Sequence, residues 1–181
     1  MNEKPVIAII GGTGNEGKGL ALRWAQAGYR IIIGSRKLER AEEAAAALTE
    51  ILPGGKFEGM ENSQAVLNGD IAVLTVVQSA HRAAVESLKD ALQGKLLVDA
   101  TARIAFPNPR PPKQPSAGRI AQDILGEDVR VVTAFQNVPA HALADLDKPV
   151  NSDVLVCADE RETAEIVIAL AEDAGMDAYY V

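Results

Sequence analysis

The chain of 181 residues has few cysteine, histidine and aromatic residues. Its one cysteine, Cys157, excludes an intramolecular disulfide or a cysteine-rich metal site, and its two histidines lack His-x-x-x-His spacing, so we expect no bound metal. Cys157 lies in an apolar stretch, residues 154–158, and we interpret it as a small buried side chain rather than a reactive thiol. Aromatic residues make up only 4% of the chain and apolar residues 48%, which is typical of aliphatic strands and alanine-rich helices.

Long apolar runs and an excess of positive charge are also lacking. No apolar run approaches the roughly twenty residues that cross a bilayer, and no signal-peptide pattern precedes the first apolar strand. We therefore expect a soluble, cytoplasmic protein with no membrane partner. The net charge of −7 is opposite in sign to the surface that nucleic-acid binding requires, so nucleic acid is not an expected partner.

Short aliphatic runs alternate with amphipathic alanine-rich segments along the chain, which is the pattern of βαβ units. The alternation predicts an α/β fold of the Rossmann type, with a doubly wound, mostly parallel sheet of about eight strands. We expect a single domain, 1–181, without a separate substrate domain. The predicted strands are 6–10, 30–34, 56–59, 71–76, 96–99, 129–134, 154–157 and 178–181. The predicted helices are 17–27, 38–52, 63–67, 80–92, 117–125 and 161–174.

A proline-rich stretch, residues 106–115, interrupts this pattern. Its five prolines exclude a continuing helix or a central strand and predict a surface loop. Because the loop follows the carboxyl end of a predicted strand, it lies on the side of the sheet where open α/β folds bind ligands. The loop is either a lid over the ligand or a simple spacer, and the sequence does not distinguish the two.

The first aliphatic strand leads into a glycine-rich turn of the form Gly-x-Gly-x-x-Gly, followed by a helical segment. Backbone N–H groups at such a turn, together with the helix dipole, can bind a pyrophosphate. Gly12 is assigned to the tight turn, Gly14 to the close approach of the phosphate and Gly17 to helix–strand packing. A tight turn without a nucleotide is the alternative. The residues assigned to nucleotide binding here are Gly12, Thr13, Gly14, Asn15 and Gly17.

The end of the second strand indicates which dinucleotide binds. An NAD site usually has an aspartate or glutamate at this position to bind the ribose hydroxyls, whereas this sequence has Ser35 and Arg36. A hydroxyl and a guanidinium can bind a 2′-phosphate with charge-assisted hydrogen bonds. We therefore predict NADP(H) rather than NAD(H). Arg40 either reaches the same phosphate or pairs with a neighbouring glutamate.

Several segments resemble the NADPH-dependent reductases of the deazaflavin coenzyme F-420 (F420). The resemblance spans nearly the whole chain and is most specific in the extended glycine motif and the Ile-Gly-Ser-Arg segment. It implies hydride transfer between NADP(H) and F420 by a homodimer, with C-terminal helices beyond the last strand in family members. The resembling segments are 11–23, 33–36, 70–75 and 138–140.

The resemblance also implies site residues outside the glycine motif. Thr75 and Val76 are expected near the ribose and nicotinamide of NADP. The segment from Gln136 to Ala140 is expected to border the deazaflavin, although family members often have a His-Thr type of pair at its first two positions. The family site residues implied in that segment are Asn137, Val138 and Pro139.

Hydride transfer between two bound cofactors needs little side-chain chemistry, so no catalytic residue is predicted. His141 either contacts the deazaflavin, or is solvated or caps a helix. The same alternatives, a functional contact or a solvated or capping role, apply to His81. Asp99 either faces the site or caps the turn that follows it. Four cations either meet the phosphate and glutamate tail of F420 or stay solvated, namely Arg103, Arg110, Lys113 and Arg119.

Two other functions remain open from the sequence. One is an NADPH-dependent reductase of a different acceptor, such as a flavin, a ferric chelate or an imine. The other is a module that binds NADP and contacts a protein partner without turnover.

Overall fold

Six parallel strands form the central sheet in the computed structural model, which describes residues 3–104 and 113–181. The elements are β1 Ile7–Ile10, α1 Asn15–Gln26, β2 Arg30–Ser35, α2 Leu38–Ile51, β3 Lys56–Glu61, α3 Asn62–Asn68, β4 Ile71–Leu74, α4 Gln78–Ser87, β5 Leu96–Asp99, α5 Ala117–Leu125, β6 Arg130–Thr133, α6 Ala140–Leu143, β7 Val154–Val156, α7 Arg161–Asp173 and β8 Ala178–Tyr180. The strand order is β3-β2-β1-β4-β5-β6. This order confirms the predicted doubly wound Rossmann fold.

Alternating side chains of the strands build a core on each face of the sheet. In β1, Ile7 and Ile9 pack into one cluster with α1, α2 and α7, while Ala8 and Ile10 pack into a second cluster with α3, α4 and α5. All four residues of β1 are fully buried, as expected for a central parallel strand covered by helices on both sides. The helices therefore hold β1 rigidly at the point where the glycine-rich turn begins.

The predicted sheet of about eight strands is corrected to six, because β7 and β8 form a separate two-stranded parallel sheet. Among the residues that the structure describes, one isolated antiparallel bridge, between Thr133 of β6 and Cys157 just after β7, connects the two sheets. Side chains alternate along β7, so Val154 and Val156 are buried while Leu155 is exposed. Cys157 follows this alternation and is exposed. The interpretation of Cys157 as a buried side chain is therefore wrong.

Two helices differ from the sequence prediction. Helix α4 ends at Ser87, and residues 88–92 continue as turns rather than as helix. The short helix α6 was not predicted, because four residues are too few to show a helical period. The proline-rich loop predicted over residues 106–115 lies largely outside the described residues.

Within residues 3–104 and 113–181, no helix is long and apolar enough to cross a membrane.

Candidate functional site

The carboxyl ends of the parallel strands bring the predicted site residues to one edge of the sheet. The chain direction of the winding reverses between β1 and β4, and open α/β sheets bind ligands at such a switch point. The glycine-rich turn follows β1, Ser35 ends β2, and Thr75 follows β4. The registers pair Ile10 with Gly34 and with Leu74, so the three loops start side by side.

The glycine-rich turn is tight because its first two glycines accept no side chain. Gly11 has φ of +72°, a left-handed conformation that favours glycine. A Cβ atom on Gly12 would lie 2.7 Å from the carbonyl oxygen of Ile9. The Gly12 N–H donates to the carbonyl of Gly34 at 3.1 Å, which ties the turn to the end of β2. The tight-turn role predicted for Gly12 is thus shared with Gly11.

Gly14 and Gly17 differ in whether the surrounding protein leaves room for a side chain. A Cβ on Gly17 would lie 2.7 Å from the Cα of Gly12 and 2.8 Å from Oγ1 of Thr75, so Gly17 permits close packing of α1 against the turn. A Cβ on Gly14 would meet only the Gly11 carbonyl oxygen, at 3.7 Å, which is an ordinary contact. Protein packing therefore does not require glycine at position 14, and its exposed backbone is left open to a ligand.

Helix α1 begins directly after Gly14 without a side-chain cap. The first N–H groups of a helix have no partner within the helix and carry the positive end of its dipole. Asn15 is the first residue of α1, and Thr13 lies in the turn before it. The N-terminus of α1 can therefore bind a pyrophosphate, as predicted for this turn.

Glu16 lies in the first turn of α1 and was not singled out from the sequence. Burial raises the pKa of its carboxyl group from 4.5 to about 7. Below about pH 7 the carboxyl group is therefore mainly protonated, and this neutral form does not repel a phosphate at the same helix end. Its place in the glycine motif could have identified Glu16 as a residue near the turn, but not its raised pKa.

We expect Glu16→Gln to stabilise the protein at pH 8 and to have little effect near pH 4.5. A carboxyl whose pKa is higher in the folded state makes folding less favourable as the pH rises from 4.5 to about 7, and the cost then stays constant. The expected gain at pH 8 is about 1–3 kcal/mol, measured by urea unfolding at both pH values. Glu50→Gln, on the exposed end of α2, is the control for loss of one charge. Equal effects of Glu16→Gln at the two pH values would contradict the assignment.

The end of β2 presents a buried hydroxyl beside exposed cations. Ser35 is buried, and its Oγ accepts a hydrogen bond from the N–H of Lys37 at 3.3 Å. Arg36, Lys37 and Arg40 are exposed, and within the described residues no carboxylate lies within 4.0 Å of any of them. The glutamate pairing considered for Arg40 is therefore not observed. Arg36 precedes α2, whereas Arg40 is its third residue.

Asn62 is a second polar residue of this region that the sequence did not reveal. A Cβ on Gly34 would lie 2.9 Å from Oδ1 of Asn62, so the asparagine lies directly beside the end of β2. This Oδ1 atom is buried and has no hydrogen-bond partner among the described residues. It is therefore a candidate contact for the adenosine half of a dinucleotide.

Thr75 and Val76, which the resemblance placed near the ribose and nicotinamide of NADP, lie against the glycine-rich turn. The Thr75 hydroxyl donates to the carbonyl of Ile10 at 3.1 Å. A Cβ on Gly11 would lie 2.8 Å from Cγ1 of Val76. Both residues therefore line the switch point between β1 and β4.

The segment after β6 begins with a strained residue. Phe135 has φ of +72°, which is rare for a bulky side chain, and it is fully buried in edge-to-face contact with Trp24, with ring centroids 5.7 Å apart. The Gln136 amide donates to the carbonyl of Asp99 at 2.8 Å. This packing fixes where the following residues lie relative to β5 and α1.

The three predicted residues of this segment differ in exposure. Val138 is buried, while Asn137 and Pro139 are exposed. The Asn137 amide donates to the carbonyl of Asp153 at 2.7 Å, so part of its side chain holds the approach to β7. Pro139 is the N-cap residue of α6, and His141 is exposed in that helix.

Arg23 fastens α6 and the following loop to α1. Its guanidinium is buried and donates to the carbonyls of Ala142, Leu143, Asp145 and Lys148 at distances between 2.5 and 3.1 Å. Hydrogen bonds from a charged donor are stronger than neutral ones. Helix α1, which follows the glycine-rich turn, therefore also positions the segment predicted to border the acceptor.

His81 and Asp99 form a buried pair behind the site. His81 Nε2 lies 2.7 Å from Oδ2 of Asp99, and Oδ1 of Asp99 accepts the N–H of Thr101 at 3.0 Å. Asp99 is fully buried and caps the turn that follows it through the Thr101 N–H, which is one of the two interpretations considered, while its other oxygen contacts His81. His81 is neither solvated nor a cap, which sequence reasoning missed because its partner lies 18 residues away.

Fold, glycine-rich turn and switch-point loops together define a dinucleotide-binding protein of the Rossmann class. The family model described as NADP oxidoreductase coenzyme F420-dependent matches residues 6–103. The chain belongs to this family.

Curated relatives cover most of the chain. It is 41% identical over 180 residues to the F420-dependent NADP reductase of Methanocaldococcus jannaschii, covering 91% of this chain and 78% of the relative. It is 39% identical over 175 residues to the F420-dependent NADP reductase of Methanothermobacter thermautotrophicus, covering 92% and 75%. A hypothetical protein of Sinorhizobium meliloti has a similar fold, with a TM-score of 0.79, 23% identity, and coverage of 98% of this chain and 84% of that chain.

Proposed function

We propose that the protein transfers a hydride between NADP(H) and coenzyme F420. The observation that carries the proposal is the carboxyl edge of the sheet, where an open glycine backbone lies next to a cationic strand end. The relatives in the same family are F420-dependent NADP reductases. The geometry supports NADP(H), and the relatives add F420 as the second small-molecule partner.

The residues proposed to hold NADP follow from their places in the fold. The turn after β1 and the N-terminus of α1 bind the pyrophosphate, Ser35 and Arg36 bind the 2′-phosphate, and the loop after β4 supports the nicotinamide end. The segment after β6 borders the acceptor. The proposed contact residues are Gly12, Thr13, Gly14, Asn15, Gly17, Ser35, Arg36, Arg40, Thr75, Val76, Asn137, Val138 and Pro139.

The two cofactors supply the carbons between which the hydride passes. The chain contributes proximity, orientation and exclusion of water, which is where the rate of such a transfer is gained. Trp24 and Phe135 on one side, and the bonds from Arg23 on the other, hold the segment after β6 in place. A segment fixed in this way would keep the deazaflavin at a constant distance from the nicotinamide.

The function is tested by stopped-flow mixing of the protein with reduced F420 and NADP⁺, following the deazaflavin absorbance. We expect oxidation of reduced F420 with NADP⁺ and little with NAD⁺. Oxidation of NADPH by a flavin, a ferric chelate or an imine, but not by F420, would favour a reductase of another acceptor. Tight NADPH binding without turnover of any acceptor would favour a sensing module.

The homodimer and the cytoplasmic location stay predictions. Sedimentation equilibrium of the purified protein measures the first directly. A monomer that is fully active with F420 would contradict the homodimer.

A further inference from the structure

A cavity of about 180 Å³ lies between α4 and α5 at the carboxyl edge of the sheet. Gln78 and Arg82 of α4 line one side of it, and Thr101 and Arg103 after β5 line another. Among the described residues that line the cavity, none is an aspartate or a glutamate. Two guanidinium groups at one small cavity are notable in a chain with a net charge of −7.

Neither guanidinium group is paired with a buried carboxylate among the described residues. Nη1 of Arg103 donates to the backbone carbonyls of Lys113 and Pro115, which places the group beside the start of α5. Nη1 of Arg82 lies 3.6 Å from Oε1 of Glu86, and both side chains are more than half exposed. Such an exposed pair contributes little energy, so Arg82 remains able to bind another anion.

Two further features favour a negative charge at this cavity. Helix α4 spans ten residues and begins at Gln78 without a side-chain cap, so its first N–H groups and the positive end of its dipole face the same region. The Thr101 hydroxyl oxygen is buried and has no hydrogen-bond partner among the described residues. Cations, an uncapped helix end and an unpaired hydroxyl therefore meet at one place.

We propose that this cavity binds an oxyanion, a phosphate or carboxylate group, in the tail of the deazaflavin co-substrate. The inference rests on the proposed function. The cavity suits a tail group rather than a fused three-ring system. Val77 and Ile104, each next to a lining residue, are 70% and 49% exposed and offer apolar surface beside it. A ligand with an apolar ring and an anionic tail matches this pairing of surfaces.

Of the cations that the sequence offered as contacts for the tail of F420, Arg103 and Arg119 lie at different places. Arg103 lines the cavity, joined by Arg82, which the sequence did not single out. Arg119 instead pairs with Asp123 at 2.8 Å and lines separate cavities near β6. Arg110 lies outside the described residues.

The test compares intact F420 with a deazaflavin that lacks the phosphate and glutamate tail. Binding to the NADP⁺-saturated protein is followed by deazaflavin fluorescence, so that binding is measured separately from turnover. In Arg82→Gln/Arg103→Gln we expect Kd for intact F420 to rise roughly tenfold or more, with the tailless compound and NADPH unchanged. The effect should shrink at high salt.

Arg161→Gln is the matched control, because Arg161 forms the same kind of exposed i,i+4 pair with Glu165 on α7. Equal weakening of both deazaflavins, weaker NADPH binding, or no change would overturn the proposal. Arg82→Gln alone, at an exposed site, keeps the test valid if the double variant unfolds. Tail-dependent binding without turnover would sink the proposed function and leave the subsite standing, whereas no binding of F420 by the wild type would overturn the subsite too.

Discussion

Replacing Arg36 by alanine is expected to weaken NADPH binding by about 1.5–3 kcal/mol, roughly ten- to 150-fold, and to leave NADH binding nearly unchanged. The two nucleotides differ only in the 2′-phosphate, so the difference between their losses isolates the contact to that group. Arg36 is exposed at the end of β2, beside the buried Ser35, and is available to such a ligand. Isothermal titration calorimetry with both nucleotides measures the two losses.

Arg40→Ala serves as the comparison within the same region. Arg40 lies on α2 rather than in the loop, so we expect Arg40→Ala to weaken NADPH binding less than Arg36→Ala does. Arg161→Ala, on α7, controls for a change in net charge. Equal losses of NADPH and NADH affinity in Arg36→Ala would refute the assignment to the 2′-phosphate.

Gly14→Ala is expected to weaken NADPH and NADH binding alike, by about 3 kcal/mol or roughly a hundredfold, while the protein still folds. A Cβ at this position meets no close protein atom, so the free energy of unfolding should change by no more than about 1 kcal/mol. The added methyl group instead occupies the approach to the first turn of α1. Fluorescence titration with each nucleotide and urea unfolding measure the two effects separately.

Gly54→Ala is the matched control, because a Cβ there meets nothing within 4 Å and the position lies in the turn before β3, away from the carboxyl edge. It should change neither nucleotide affinity nor stability. Unaltered affinity in Gly14→Ala would show that no phosphate approaches this backbone. A large loss of stability would mean that Gly14 serves packing, as Gly17 does.

The sequence predicted the fold and the position of the glycine-rich turn after β1, because the signals for both are local. Aliphatic runs locate the strands, and the spacing of Gly12, Gly14 and Gly17 locates the turn. The pairing of β7 with β8 in a separate sheet was not predictable, since alternation within a strand does not say which strand lies beside it. The exposure of Cys157 continues the alternation of β7, in which Val154 and Val156 are buried and Leu155 is exposed.

The remaining features depend on contacts between distant residues. The Asp99 pair of His81 and the four carbonyls bound by Arg23 join residues far apart in the sequence. Asn62 meets Gly34 only because β3 lies next to β2. The pKa of Glu16 depends on burial, which its position in a glycine motif does not reveal.

The carbonyls gathered by Arg23 have a consequence for cooperativity. Residues 142–148 contain little regular structure of their own, yet four of their peptide oxygens depend on one side chain of α1. Local opening of that stretch would leave a buried cation without partners, so we expect the stretch and α1 to unfold together. The glycine-rich turn that precedes α1 and the stretch that Arg23 binds should therefore lose their structure in one step rather than separately.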